Sequence, residues 1–270
     1  MHNSETHSQS ATMREAARAE GLTLAYGTRA ALVGATFALP AGTSVALIGP
    51  NGSGKSTLLR ALAGLVPPRA GTLDVPARAR RGAVALVLQT TDVDRTLPIT
   101  VRETVTMARY ASRGAFGRLR AADHAAVRDA LDRLEVADLA SRQLHELSGG
   151  QRQRVLVAQG LAQEAELLLL DEPVTGLDVV SRELILDAVA TETAAGRTVV
   201  VSTHDLDDAR RADRVMLLAN RVVACGPPGA VLVEDLLGAA YGGRVLRLPS
   251  GLVVVDDPHH VSHPHTPVVG

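Results

Sequence analysis

Short apolar runs and amphipathic stretches alternate along this chain, and their spacing sets out an order of elements before any motif is considered. Leu22-Thr23-Leu24-Ala25-Tyr26 reads as a strand, and residues 31–39 follow with alternating apolar positions, closed by the turn Pro40-Ala41-Gly42. Val45-Ala46-Leu47-Ile48 is an unbroken apolar run of strand length, and Leu58-Leu59-Arg60-Ala61-Leu62-Ala63 follows as a helix. Residues 71–75 and 83–88 read as further strands. Between residues 89 and 147 the character changes, with helical periodicity over 101–111 and again over 121–134. Thr100 and Glu103 carry the spacing of a capping box at the first of these helices. From Gln151 onward, strands at 167–170, 198–201 and 215–218 alternate with helices. The expected fold is α/β, with a mostly parallel sheet, an N-terminal antiparallel β part and a helical subdomain inserted at about residues 90–150.

The ends differ from this middle. Residues 1–20 are polar and read as a loosely ordered lead-in to a main domain spanning 21–240. Residues 241–270 read as a hairpin around Pro249-Ser250-Gly251 followed by a Pro/His tail. A net charge of −1 offers no basic field for nucleic acid. No run approaches the ~18 apolar residues of a membrane span, and the N-terminus lacks the apolar stretch of a signal peptide. The single cysteine, Cys225, excludes an intramolecular disulfide framework and fits a reducing compartment. The expectation is a soluble, cytoplasmic protein with no direct membrane insertion.

Chemistry concentrates at the chain's only lysine. Lys55 lies in Gly49-Pro50-Asn51-Gly52-Ser53-Gly54-Lys55-Ser56-Thr57, a full Gly-x-x-x-x-Gly-Lys-Ser match between an apolar strand and a helix. All other positive side chains except the histidines are arginine, so the compact ammonium stands where a planar guanidinium would fit badly between phosphates. Glycines 49, 52 and 54 let backbone N–H groups turn toward an anion, and the helix that follows adds its positive end. Lys55 is expected to bridge the outer phosphates of a nucleoside triphosphate, and Ser56 to ligate Mg²⁺. Downstream, the run at 167–170 ends in Asp171-Glu172. Asp171 is placed to hold Mg²⁺ and Glu172 to polarise the attacking water as general base.

A third string, Leu147-Ser148-Gly149-Gly150-Gln151, is by itself a capping box at a helix start. Together with the two preceding motifs it resembles the signature of the ATP-binding-cassette (ABC) ATPases, and the resemblance runs from about residue 22 to 236. It implies a P-loop, RecA-like core that binds ATP and Mg²⁺. It also implies a homodimer in which Ser148, Gly149, Gly150 and Gln151 face the ATP held by the opposite chain. By the same resemblance Tyr26 would stack on adenine, and Gln89 would sense Mg²⁺ and couple to a membrane partner. Asp178, in Val174-Thr175-Gly176-Leu177-Asp178, would cross between subunits, and His204 would contact the γ-phosphate. One departure stands after the signature. Ala158-Gln159-Gly160-Leu161 occupies the usual Ala-Arg-Ala-Leu position, and a glycine inside a helix costs roughly 1 kcal/mol against alanine.

The stretch from Thr96 to Tyr110 is similar to the Phe-Pro-Ile-Thr-Val…Val…Met-Gly-Arg run of zinc- and manganese-type importer ATPases. That similarity implies an ATPase pair driving two permease subunits at the inner face of the cell membrane, fed by an extracytoplasmic metal-binding protein. Zinc is the first expectation and manganese the second. An iron-chelate importer and a soluble cofactor-assembly ATPase are the alternatives. The tail adds His259, His260, His263 and His265, with Asp256 and Asp257, as candidate zinc ligands. His124 and His145 sit alone in helical context and read as structural.

Overall fold

Alternation at the N-terminus builds a hairpin. In the computed structural model, which describes residues 14–27, 29–89, 98–114 and 116–242 and the backbone of 245–247 and 253–255, β1 (Glu15–Tyr26) pairs antiparallel with β2 (Arg29–Pro40). Ala17, Ala19, Leu22 and Leu24 of β1 are fully buried, and a register shift after Ala19 keeps the inward face in phase. Among the described residues, regular structure is therefore present from Glu15, within the 1–20 lead-in expected from sequence. Alanines between charged residues are weak strand formers, and here pairing with β2 overrides that preference.

The chain continues through β3 (Ser44–Ile48), α1 (Lys55–Leu62), β4 (Ala70–Asp74) and β5 (Val84–Val87) into a helical insertion. The insertion holds α2 (Val101–Met107), α3 (Tyr110–Arg113), α4 (Ala121–Arg133) and α5 (Gly149–Ala162). Then follow β6 (Leu167–Leu170), α6 (Val179–Ala194), β7 (Thr198–Ser202), α7 (Leu206–Arg210), β8 (Arg214–Leu218), β9 (Val222–Gly226), α8 (Pro228–Val231) and α9 (Glu234–Tyr241). The short strands β10 (Val245–Arg247) and β11 (Val253–Val255) pair antiparallel.

The main sheet has the order β5-β6-β7-β3-β8-β9, parallel throughout except for the last strand. A smaller sheet, β2-β1-β4, is antiparallel. The apolar run of β6 is buried at every position because both faces are covered: Leu167 and Leu169 face α1 and the antiparallel sheet, while Leu168 and Leu170 face the helical insertion. Each such leucine contributes roughly 1.5–3 kcal/mol by leaving water. The strand β3 does the same, with Val45 and Leu47 on one side and Ala46 and Ile48 against α7 and α9.

Thr100 caps α2 as its spacing predicts: its Oγ1 accepts from the Glu103 N–H at 3.2 Å, and its own N–H donates to Glu103 Oε2 at 2.8 Å. The single helix expected over 101–111 instead divides after Met107. The N–H groups of Ala108 and Arg109 reach back only three residues, to Val105 and Thr106, which tightens the turn. Arg109 is 6% exposed, and its guanidinium bonds Asp123 of α4, Glu164 and the carbonyl of Ala162 at the end of α5. One buried cation thus joins three parts of the insertion.

Candidate nucleotide-binding site

The phosphate loop leaves β3 at Ile48 and enters α1 at Gly54. Two of its glycines are dictated by close approach. A Cβ on Gly49 (φ 148°) would sit 2.0 Å from the Leu218 carbonyl oxygen, and one on Gly54 (φ 104°) 2.7 Å from that of Ala31. Residues 51–57 and Glu172 line a cavity of about 130 Å³. Lys55 is buried, and its Nζ donates to the carbonyl oxygens of Gly49 at 2.7 Å and Pro50 at 3.3 Å. Ser53, 2% exposed, has an Oγ with no hydrogen-bond partner among the described residues. A glycine cradle with a buried ammonium and an unsatisfied hydroxyl fits an oxyanion.

The loop is held from behind by a residue whose role the sequence did not disclose. Asn220, at the turn between β8 and β9 with φ 54°, donates its side-chain amide to the carbonyls of Gly52 and Ala31, both at 3.1 Å. Its backbone N–H also bonds Ser53 O at 3.0 Å. Asparagine between two short strands is a turn signal, but its reach to residue 52 follows only from β8 lying beside β3.

Opposite the loop, β6 delivers its acids. Asp171, 4% exposed, accepts at Oδ1 from Ser56 Oγ (3.0 Å) and from Ser202 Oγ (2.7 Å). Hydroxyl and carboxylate oxygens are hard donors in mutual contact, which suits a magnesium ion. Ser202 was not singled out from sequence; a hydroxyl closing the apolar run of β7 was the available sign. Its Oγ also receives the Glu172 N–H at 2.8 Å. Glu172 has φ 47°, a left-handed conformation that costs energy for a side-chain-bearing residue and clusters at functional sites. That turn brings Glu172 to the cavity wall beside the loop, where its Oε2 accepts from Thr175 Oγ1 at 3.2 Å.

The other expected residues within the described part of the chain are not among those that line this cavity. Ser148 caps α5, accepting from the Gln151 N–H at 3.2 Å while Gln151 Oε1 accepts from Ser148 N–H at 3.1 Å. Gly149 and Gly150 open that helix, with Gly150 against Asp178: a Cβ there would be 3.3 Å from Asp178 Oδ2. Asp178 in turn caps α6, and the Ser181 N–H and hydroxyl that donate to it hold its carboxyl below the usual range. Gln89 follows β5 and His204 follows β7, both exposed. Tyr26 ends β1 opposite Arg29, but its side chain lies outside the described residues, as do Asp256, Asp257, His259, His260, His263 and His265. Among the described residues no cluster of three or more His, Cys, Asp or Glu could hold a metal, and no helix is long and apolar enough to cross a membrane.

A strand-loop-helix phosphate cradle facing a carboxylate pair, on a parallel sheet interrupted by helices, defines a P-loop nucleotide triphosphatase. The ABC transporter profile matches residues 22–175, and the chain belongs to that family of ATPases. It is 37% identical over 237 residues to the manganese transport system ATP-binding protein MntB of Listeria monocytogenes, covering 86% of this chain and 99% of that protein. It is 39% identical over 234 residues to the zinc transport system ATP-binding protein TroB of Treponema pallidum, covering 85% and 88%. Among solved structures, a transporter described as metal-chelate type, in an inward-facing conformation, matches with a TM-score of 0.74 at 30% identity, over 85% of this chain and 90% of that one.

Proposed function

We propose that this chain is the ATP-hydrolysing subunit of an importer for a divalent transition metal, with zinc and manganese as the cargo candidates. It would act as a homodimer on two permease subunits at the cytoplasmic face of the membrane, with an extracytoplasmic binding protein delivering the metal. The carrying observation is likeness to the manganese and zinc system subunits over nearly their full lengths, joined to the Thr96–Tyr110 run already noted.

In this reading Lys55 and the N–H groups of the loop bind the β- and γ-phosphates of ATP. Ser56 and Asp171 hold Mg²⁺, which supplies positive charge to the phosphates. Glu172 accepts a proton from the attacking water, and its left-handed backbone fixes the carboxylate beside the loop. His204 and Gln89 complete the contacts from the ends of β7 and β5. Ser148 caps a helix whose first residues are Gly149 and Gly150, so bare N–H groups remain for an anion brought by a second copy of the chain. A groove lined by Arg102, Glu103, Met107, Tyr110, His124 and Arg128 supports permease docking on the insertion.

Deleting the gene and measuring cellular metal tests the cargo. Loss of accumulated zinc or manganese, restored by wild type but not by Glu172→Gln, is the expected result. Unchanged content of both metals would overturn the import reading.

A further inference from the structure

Arg182 lies one turn inside α6, and its backbone N–H bonds the carbonyl of Asp178 at 3.0 Å. Its guanidinium leaves that helix and crosses to the segment after β7. There Nη2 donates to Asp205 Oδ2 at 3.0 Å, and Nε donates to Asp208 Oδ1 at 3.0 Å. Asp205 directly follows His204. Its other oxygen, Oδ1, caps α7 by accepting from the N–H groups of Asp207 and Asp208. The Asp205 N–H bonds Thr203 Oγ1 at 3.0 Å, so the turn carrying His204 is fixed on both sides.

The sharing has a cost. Nη2 also reaches Asp208 Oδ1, so both bonds from Arg182 to Asp208 fall on one oxygen. Asp208 Oδ2 is left buried with no hydrogen-bond partner among the described residues. A fork-to-fork pair with Asp208 alone would satisfy that oxygen, yet would release Asp205. Burial raises the Asp208 pKa although Arg182 opposes the rise, as expected for a carboxylate left only half satisfied. An arrangement that leaves a polar atom unsatisfied in order to hold a neighbouring group is a mark of functional positioning.

We propose that Arg182 is a positioning residue for hydrolysis: it ties the helix that starts at Asp178 to the turn that carries His204, so that these two loops move as one. This rests on the assignment of His204 to the γ-phosphate contact made above. Shared between two carboxylates, Arg182 pairs with Asp208 while its bond to Asp205 holds the turn in place.

The test compares ATP affinity, steady-state turnover and melting temperature for five variants of the full chain. Arg182→Ala should lower kcat about tenfold with ATP affinity within twofold of wild type, and Arg182→Lys should recover part of the loss because a point charge can hold one carboxylate. The control is Arg211→Ala. Arg211 joins the same two helices through Glu183 and Asp187 but touches neither loop, so its loss should leave kcat unchanged. In a His204→Ala background, Arg182→Ala should add less than twofold, because its effect is exerted through His204. A full tenfold loss in that background, an equal kcat loss in Arg211→Ala, or wild-type kcat in Arg182→Ala would overturn the proposal. Wild-type turnover in His204→Ala alone would instead overturn the histidine's assignment.

Discussion

Gly160 of α5 and Val87 of β5 approach so closely that a Cβ on the glycine would lie 2.6 Å from Val87 Cγ2 and 3.2 Å from Leu168 Cδ1. By helix propensity alone this glycine is a weakness of α5. Its packing reverses the sign. Gly160→Ala gains about 1 kcal/mol in helix propensity but inserts a methyl group against a stiff β-branched side chain, and overpacking of this kind costs about 1–3 kcal/mol. The variant should unfold at lower urea than wild type with an unchanged slope. A higher midpoint would show that Val87 yields freely.

The same residue marks where sequence stops being informative. Motifs made of contiguous residues, at 49–57, 147–151 and 171–172, were legible because strand, loop and helix chemistry is local. The β6 run was legible too, since burial on both faces leaves no polar position. What escaped were contacts between elements distant along the chain. Asn220 under the loop, Ser202 on Asp171 and Gly160 against Val87 depend on which strands are neighbours, and no periodicity encodes that order. The start of β1 was missed for a related reason: Ala17 and Ala19 become strand residues through β2.

The Arg109–Asp123 pair supplies a stability prediction. Asp123 is fully buried. Burial pushes its carboxyl up, but the Arg120 N–H and the guanidinium groups of Arg113 and Arg109 outweigh that and hold it well below the usual range. Removing one partner strands the other charges, so Asp123→Ala should cost about 3–5 kcal/mol. A folded pKa below the unfolded value means the contribution is complete above about pH 4 and is lost as the pH falls further. Wild-type unfolding free energy should therefore decline below about pH 4, and the decline should be shallower in Asp123→Ala. Parallel pH curves for the two proteins would contradict this.

Lys55 allows a sharper test than simple deletion. Its ammonium donates to the Gly49 and Pro50 carbonyls, and the residue lines a cavity of about 130 Å³, a space suited to a point charge. Lys55→Ala should abolish tight ATP binding. Lys55→Arg retains the charge but adds a planar fork, and should also bind ATP at least tenfold more weakly, roughly 1.4 kcal/mol. Calorimetry with MgATP measures both. Wild-type affinity in the arginine variant would mean that charge alone, not its shape, is what the loop requires.

Glu172 and Ser148 together test whether the site is completed by a second chain. Glu172→Gln keeps the side chain's shape and the bond its N–H donates to Ser202 Oγ, while removing the proposed base, so hydrolysis should fall about 10²–10⁴-fold with ATP binding intact. ATP should then persist in the site. If the α5 N-terminus of one chain meets the ATP of another, sedimentation of Glu172→Gln should shift from monomer to dimer on adding ATP. Adding Ser148→Arg removes the cap that accepts from Gln151 N–H and places a bulky side chain at the helix entrance, so the shift should disappear while ATP binding to each monomer remains. A dimer that forms without ATP and survives Ser148→Arg would place the subunit contact elsewhere. A monomer that binds ATP tightly but never associates would remove the second chain from the site altogether.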